Sequence, residues 1–331
     1  MNEPLVTVVL PSYNHAAWLG ETIGSVLAQT MPRWELLVID DGSRDDSVAV
    51  ARSFVDPRIQ VLPQANAGAD AAINRGLGLA TAPYTAILNS DDRWRPRRLE
   101  RLLNAAERLP AGQPDTLWFT DLAVIDAWGR LDLGRMWGPH YDLRSRCAAW
   151  SLPRVLRRGN LAHTTSNFFA PTRLFRELNG MRPLRYVHDW DFLLRALGQR
   201  AVARLPETLM DYRVHGRNTI SENAGWKHLA EAAFIAGVHL MTFQLDELDP
   251  LEDSLELFVA NPCFPSALAW TFHHVHMKAG EEAALALAVT DAGIERMKTI
   301  LQKEGFTHTR ALLPPLGVMH YLPALKSTDC L

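Results

Sequence analysis

Cysteine is scarce in this chain. The three present, Cys147, Cys263 and Cys330, are odd in number, far apart and never spaced C-x-x-C, a pattern that fits a reducing compartment better than a disulfide-stapled fold. Long apolar runs are missing as well. The apolar stretch from 230 to 245 is interrupted by Glu231, His239 and Gln244, and nothing approaches the ~18 residues that span a bilayer. The opening "MNEPLVTVVLPSYNH" has no basic segment followed by an apolar run and a small-residue cleavage site, so no export signal is expected. A soluble, cytoplasmic protein is the expectation, with peripheral contact at the inner face of a membrane left open. Neither sign of charge is in excess: a formal net charge of -3 gives no general pull toward nucleic acid, so an anion must be bound by a local site. Two phosphate-binding signatures are absent. The first strand is followed by "LPSYNH" without G-x-G-x-x-G, which disfavours a Rossmann oxidoreductase, and no G-x-x-x-x-G-K-[ST] exists to suggest a P-loop NTPase.

What is present is the balance of an ordinary globular protein. Hydrophobic residues at 47% and charged residues at 21% argue against long disorder, and 331 residues suffice for an α/β core with an appended subdomain. The first hundred residues alternate two periodicities. "LVTVVL" (5 to 10) is a β-branched run closed by Pro11; Leu19, Ile23, Val26 and Leu27 then recur at one-face helical spacing, with Asn14 as candidate N-cap. "ELLVID" (35 to 40) reads as a strand, and "DGSRDDS" as a turn with Ser43 capping the next helix. Further strands are expected at 58 to 62 and 84 to 88, a helix near 69 to 80, and another opened by Pro96 with Leu99, Leu102, Leu103 and Ala106 on one face. Such order implies an α/β fold with a mostly parallel sheet, whose ligands bind beyond the carboxyl ends of the strands. From 115 to about 214 the pattern is less regular, with strands expected at 116 to 120 and 208 to 214 and a helix beginning near His188. Beyond Asn218 the chain turns predominantly helical.

Three strand-end turns carry chemistry. "PSYN" follows the first strand, "DDGS" the second, and "ILNSDDRW" (87 to 94) sets Asp91 and Asp92 side by side after a buried strand. Adjacent carboxylates in a small space resist ionisation unless a cation or a ligand's donors neutralise them. Together these turns resemble glycosyltransferase family 2, inverting nucleotide-sugar transferases of GT-A fold. The resemblance runs from about residue 4 to 221 through "NAGADAAINRGLGLATAPYTAILNSDDRW", "HTTSNFFAPTRLFRELNGMRP", "VHDWDFLLRAL" and "YRVHGRNTIS". It implies a Rossmann-like GT-A domain over 1–221, with a nucleotide-sugar-binding half to about residue 95 and an acceptor half over 96–221, followed by a helical extension over 222–331.

The resemblance also implies roles. Asp92 takes the place of the aspartate that holds Mn2+ or Mg2+ against the donor's diphosphate, and Asp91 that of a ribose contact. Asp41 matches the position that accepts a hydrogen bond from the nucleotide base, with Pro11 and Tyr13 beside it and the Tyr13 ring placed to stack on the base. In "HDWD", Asp189 matches the general base that deprotonates the acceptor hydroxyl, while Asp191 orients the loop or caps the helix. His215 matches a late histidine used near the metal in some members; a structural histidine after a strand is the other reading. Arg213 and Arg217 fit either phosphate contacts or a solvated loop. Asn89 and His188 stand where many relatives carry acidic residues. The implied reaction is inverting transfer of a sugar from a nucleoside-diphosphate sugar, most readily a UDP-sugar, to a hydroxyl of a carbohydrate or glycolipid, without nucleic acid. A non-catalytic sugar-nucleotide or carbohydrate-binding relative is the alternative. The "HHVH" run, His273, His274 and His276, lacks carboxylate or cysteine partners at zinc spacing and reads as structural. The extension is expected to pack on the catalytic unit or to mediate self-association.

Overall fold

A computed structural model of the chain describes residues 3–110, 112–113, 115–132, 151–199, 202–219, 226–240 and 265–303. Cys147, Cys263 and Cys330 lie outside the described residues. The chain divides into two compact units: Met1–Gly138 with Ala162–Pro183 and Arg195–His215, and Pro139–Leu161 with Leu184–Leu194 and Gly216–Leu331.

The first unit is built on one eight-stranded sheet in the order β3-β2-β1-β4-β7-β6-β8-β5. Its strands are β1 (Val6–Ser12), β2 (Trp34–Asp40), β3 (Ile59–Pro63), β4 (Tyr84–Ile87), β5 (Arg93–Trp94), β6 (Leu117–Ile125), β7 (Phe169–Pro171) and β8 (Val202–Arg213). The β3-β2-β1-β4 half is parallel throughout, as expected from alternating strands and helices. β7 runs antiparallel to β4 and β6, β6 pairs parallel with β8, and the two-residue β5 pairs antiparallel with β8. Every residue of β1 is buried, which explains its unbroken apolar run: both faces of the sheet are covered. On one face Val6, Val8, Leu10, Leu36 and Val38 join Leu19, Ile23 and Val26 of α1 (Ala16–Leu27) and Leu99 and Leu102 of α4 (Arg98–Glu107). On the other, Leu37 and Ile39 meet Ala72 of α3 (Ala69–Leu79). Gly76 permits that second packing, since a Cβ there would lie 2.3 Å from Val9.

Helix starts differ from expectation by a few residues, for an identifiable reason. Asn14 is not the cap of α1: it adopts φ 53°, its backbone N–H donates to Ser43 Oγ at 2.9 Å, and its Oδ1 accepts from the Arg44 N–H at 2.7 Å. His15 occupies the cap position instead. Ser43 is likewise occupied by Asn14, and α2 (Ser47–Arg52) begins only after Asp46. The helix expected to open at Pro96 begins at Arg98, because the Pro96 carbonyl is turned to accept from the Thr30 N–H at 2.8 Å. Loop-to-loop bonding took the polar side chains that local reading assigned to capping. β6 and β8 are both longer than the sequence indicated; they pair along their lengths with register shifts around Asp121, which blur the alternation.

The second unit is helical. Its described elements are the helices Leu152–Arg158, the N-terminal part of His188–Gly198, Trp226–Ile235 running into a π-helical turn Ala236–Leu240, Pro265–Ala279, Glu281–Val289 and Asp291–Lys303. Phe234 and Phe272, both fully buried, meet edge to face at 6.1 Å. The Glu231 carboxylate accepts from the backbone N–H groups of Arg185 at 2.9 Å and Tyr186 at 2.8 Å. His273, His274 and His276 lie on Pro265–Ala279 and belong to no group of three potential metal ligands among the described residues. No helix among the described residues is long and apolar enough to cross a membrane.

Candidate active site

The adjacent β1 and β4 run parallel, so the turns that follow them emerge side by side. The turn after β1 is fastened to the loop after β2 by backbone donors: the His15 N–H donates to Ser47 Oγ at 3.0 Å and the Ala16 N–H to Asp45 Oδ2 at 3.0 Å. The helix α1 that follows it is fastened to the turn after β4 by Thr22 Oγ1, which donates toward the carbonyls of Ser90 (3.0 Å) and Asp92 (2.7 Å). The Ser90 hydroxyl also meets His15 Nδ1 at 2.8 Å.

Within this frame the two aspartates part company. Asp91 faces His215, whose Nε2 lies 3.1 Å from Asp91 Oδ2. Burial alone would raise its pKa, but the His215 hydrogen bond and the charges of His15 and His215 outweigh burial and hold it below the usual carboxylate value. Asp92 turns away: its Oδ2 accepts from Ser166 Oγ at 2.6 Å and its Oδ1 from the Arg213 N–H at 2.8 Å. Burial and the neighbouring Asp91 charge push its pKa well above the ordinary value, against the pull of Ser166 and Arg213. Asp91 is therefore the carboxylate ready to carry charge, and Asp92 ties the turn to β8 and to the segment before β7.

One group among the described residues could hold a metal ion: His15, Asp91 and His215, whose ligand atoms lie within 4.8 Å of one another. Ligands of one first-row ion at about 2.1 Å would stand about 3 to 4 Å apart, so small side-chain rotations close the set. The sequence placed the cation on Asp92 and His215; the structure gathers His215 with Asp91 and adds His15, which sequence reasoning missed. The signal was available, because His15 directly follows the "PSYN" turn and β1 neighbours β4. Trp18 stacks on the His215 ring at 3.8 Å and 18°, fixing its plane, and donates through Nε1 to the Ala127 carbonyl at 3.0 Å.

The residues expected from sequence to meet the nucleotide lie on the same sheet edge. Asp41 is buried; its Oδ1 accepts from Gln64 Nε2 (2.7 Å) and the Ala67 N–H (2.9 Å), and its Oδ2 from the Gly68 N–H (2.9 Å). A carboxylate offers about four acceptor positions, so three bonds leave one for a ligand donor. Gly42 completes this turn at φ 75°, where a Cβ would come within 2.9 Å of the Asn66 nitrogen. Pro11 is buried in β1, whereas Tyr13 is 42% exposed and available for stacking. Asp40, Asp41's neighbour, has a buried Oδ1 without a hydrogen-bond partner, as does the Ser12 hydroxyl that pairs with it in register. Asn89 is spent on structure: its amide bonds Thr164 Oγ1 (3.0 Å) and accepts from Thr165 Oγ1 (3.1 Å). Arg213 serves neither of the two roles open to it in sequence, being buried with its Nε on the Asp91 carbonyl at 2.7 Å and an ion pair to Glu21 at 2.5 Å.

Asp189 belongs to the second unit. Its Oδ1 accepts from the Trp190 N–H at 2.7 Å and its Oδ2 from Asn160 Nδ2 at 2.8 Å. Burial raises its pKa above the ordinary carboxylate value despite the opposing His188 charge and these hydrogen bonds. Asp191, two residues on, is wholly buried with its Oδ1 2.8 Å from His239 Nε2.

Comparison with known proteins agrees with this geometry. The profile of Glycosyl transferase family 2 matches residues 7–176. An uncharacterized glycosyltransferase of Nostoc sp. is 38% identical over 250 residues, covering 71% of this chain and 72% of that protein. The Escherichia coli UDP-Glc:alpha-D-GlcNAc-diphosphoundecaprenol beta-1,3-glucosyltransferase WfgD is 42% identical over 101 residues, 30% of this chain and 40% of that protein. Among solved structures, Staphylococcus aureus TarS in complex with UDP-GlcNAc superposes with a TM-score of 0.55 at 16% identity, over 87% of this chain and 76% of that one, a likeness of fold. With a matched profile over the β1-to-β7 region, a relative aligned over most of both chains, and an α/β sheet whose strand-end turns converge on one edge, this protein belongs to glycosyl transferase family 2 and is a glycosyltransferase.

Proposed function

We propose that the protein is an inverting glycosyltransferase that moves a sugar from a nucleoside-diphosphate sugar, most readily a UDP-sugar, to a hydroxyl of a carbohydrate or glycolipid acceptor. The observation that carries this reading is the convergence of Asp91, His215 and His15 at the strand ends that also present Asp41 and Tyr13. Asp91 and His215 would hold Mn2+ or Mg2+. A divalent cation there supplies positive charge against the diphosphate that departs with the nucleotide. Asp41 keeps one acceptor position for a base N–H, and Tyr13 offers its ring to the base.

Asp189 is the general base in this reading. The acceptor oxygen forms a bond to the anomeric carbon while the bond from that carbon to the phosphate oxygen breaks; the hydroxyl proton passes to Asp189 and the nucleoside diphosphate leaves. A carboxyl whose pKa is raised by burial holds that proton better than an ordinary aspartate. In-line displacement inverts the anomeric configuration.

Nucleotide-sugars screened by thermal shift with and without Mn2+ identify the donor, because a ligand that prefers the folded state raises the melting temperature. NMR of the product then reports its anomeric configuration. Retained configuration would overturn the mechanism, and donor binding without transfer or hydrolysis would leave a sugar-nucleotide-binding protein instead.

A further inference from the structure

The ligand group after β1, β4 and β8 offers two imidazole nitrogens and one carboxylate oxygen. We propose that His15 is a third protein ligand of the cation and that the centre is thereby selective for first-row transition ions, Co2+ above Mn2+ above Mg2+, an inference that rests on the reading that a divalent cation binds here.

Donor chemistry decides the order. Mg2+ is a hard ion that prefers oxygen ligands in near-ideal octahedral geometry and gives up water reluctantly. Imidazole suits the later first-row ions, and affinity at a fixed nitrogen and oxygen site rises from Mn2+ through Co2+. A set with one carboxylate suits Mg2+ poorly and loses much less when a transition ion enters.

His15 is held for such a role. A ligating imidazole binds through one nitrogen and is steered by a hydrogen bond at the other. Ser90 Oγ, 2.8 Å from Nδ1, supplies that steering contact, and Ser90 is the chain neighbour of the ligand Asp91. The His15 backbone N–H is anchored on Ser47 Oγ at 3.0 Å, and its ring stands edge-on to Trp18 at 5.4 Å. The His15 and His215 rings are 5.6 Å apart and nearly perpendicular at 89°, two imidazoles presented to one carboxylate from different directions. Trp18, packed on His215 and beside His15, limits the rotation of both rings. This also accounts for a half-buried histidine at a helix start where a capping Ser, Thr, Asp or Asn would ordinarily stabilise the helix better.

The test uses the full chain and metal ions alone. Co2+ titrated into the protein is expected to develop visible absorption bands of a nitrogen-ligated ion, and a hundredfold excess of Mg2+ should fail to displace it. His15→Asn puts a capping side chain at the helix start, where His15 makes no side-chain cap bond, so its metal-free melting temperature should be no lower than that of the parent, while its Co2+ and Mn2+ affinities fall by about tenfold or more. Independently of any variant, the electron-spin-echo spectrum of bound Mn2+ should show nitrogen coupling from two imidazoles. Equal affinity for Mg2+ and Mn2+, a single coupled imidazole, or undiminished Co2+ binding in folded His15→Asn would each overturn the role of His15. Absence of any divalent-cation binding, with or without UDP, would instead overturn the cation reading on which it stands.

Discussion

The two units handle buried charge differently. In the first, the strand-end carboxylates are held by partners distant in the chain: Asp41 by Gln64, Ala67 and Gly68, Asp91 by His215, and Asp92 by Ser166 and the Arg213 amide. Those bonds fix the groups before any ligand arrives. In the second unit buried acids bind backbone and side-chain donors: Glu231 takes two amides, Asp191 takes His239, and Asp189 takes Asn160 and the next residue's N–H. The lesson is that the strand-end carboxylates are pre-organised by cross-ties, whereas the helix-borne Asp189, the proposed base, is tuned by desolvation.

The sharpest way to break that contrast is to remove the proposed base without disturbing its shape. Asp189→Asn is expected to bind donor almost normally and to lose transfer by about 10²-fold or more. Comparable losses in donor affinity and turnover would show that Asp189 supports the fold rather than the reaction.

The adjacent aspartates offer the next largest effect. Asp91→Asn should weaken Mn2+-dependent nucleotide binding by about tenfold or more, whereas Asp92→Asn, whose site already resists ionisation, should stay within about threefold. Calorimetric titration of UDP with and without Mn2+ distinguishes them, and the reverse order would return the cation to Asp92.

A stability measurement sharpens the second half of the comparison. Glu231→Ala removes the carboxylate that accepts from the Arg185 and Tyr186 amides, which should cost about 1–3 kcal/mol in denaturant unfolding. Truncation after Asn223 removes the same carboxylate together with the helices that bury Phe234 and Phe272, and should lower the melting temperature further. A soluble truncated chain with unchanged melting would contradict both expectations.

The smallest effect is in pH. Burial raises the pKa of Asp189, so transfer should fall as pH drops through a value above the ordinary carboxylate range. Glu231 is raised for the same reason, with its backbone hydrogen bonds opposing. The folded state therefore holds that proton to higher pH than the unfolded chain does. Glu231's contribution is complete below the unfolded pKa and is lost as pH rises through the folded one. A turnover profile flat down to the ordinary aspartate pKa would remove Asp189 as a desolvated base.

Much of the first unit was legible because its apolar runs and one-face helices repeat at regular intervals and its turns carry Asp41, Asp91 and Asp92. Within the pair the resemblance gave the cation to Asp92 and the ribose to Asp91, but neighbours in a turn look alike in sequence, and in the structure Asp91 faces His215 and Asp92 faces Ser166. His15 stood in view directly after the "PSYN" turn, but its partners are far along the chain, so nothing local marked it as a candidate ligand. In the second unit, nothing in the pattern announces that Leu184–Leu194 shares a unit with the helices after Gly216, since the tie is a carboxylate on backbone amides, which leaves no periodicity.

The contacts that build the proposed cation site join residues 75 positions apart, for His15 and Ser90, and 124 apart, for Asp91 and His215. Loops of that length must close before such contacts return any energy, which makes them late events on a folding pathway. The site is therefore also a clock: Co2+ added during refolding would take on colour only when β8 has delivered His215, well after β1, α1 and β2 have met.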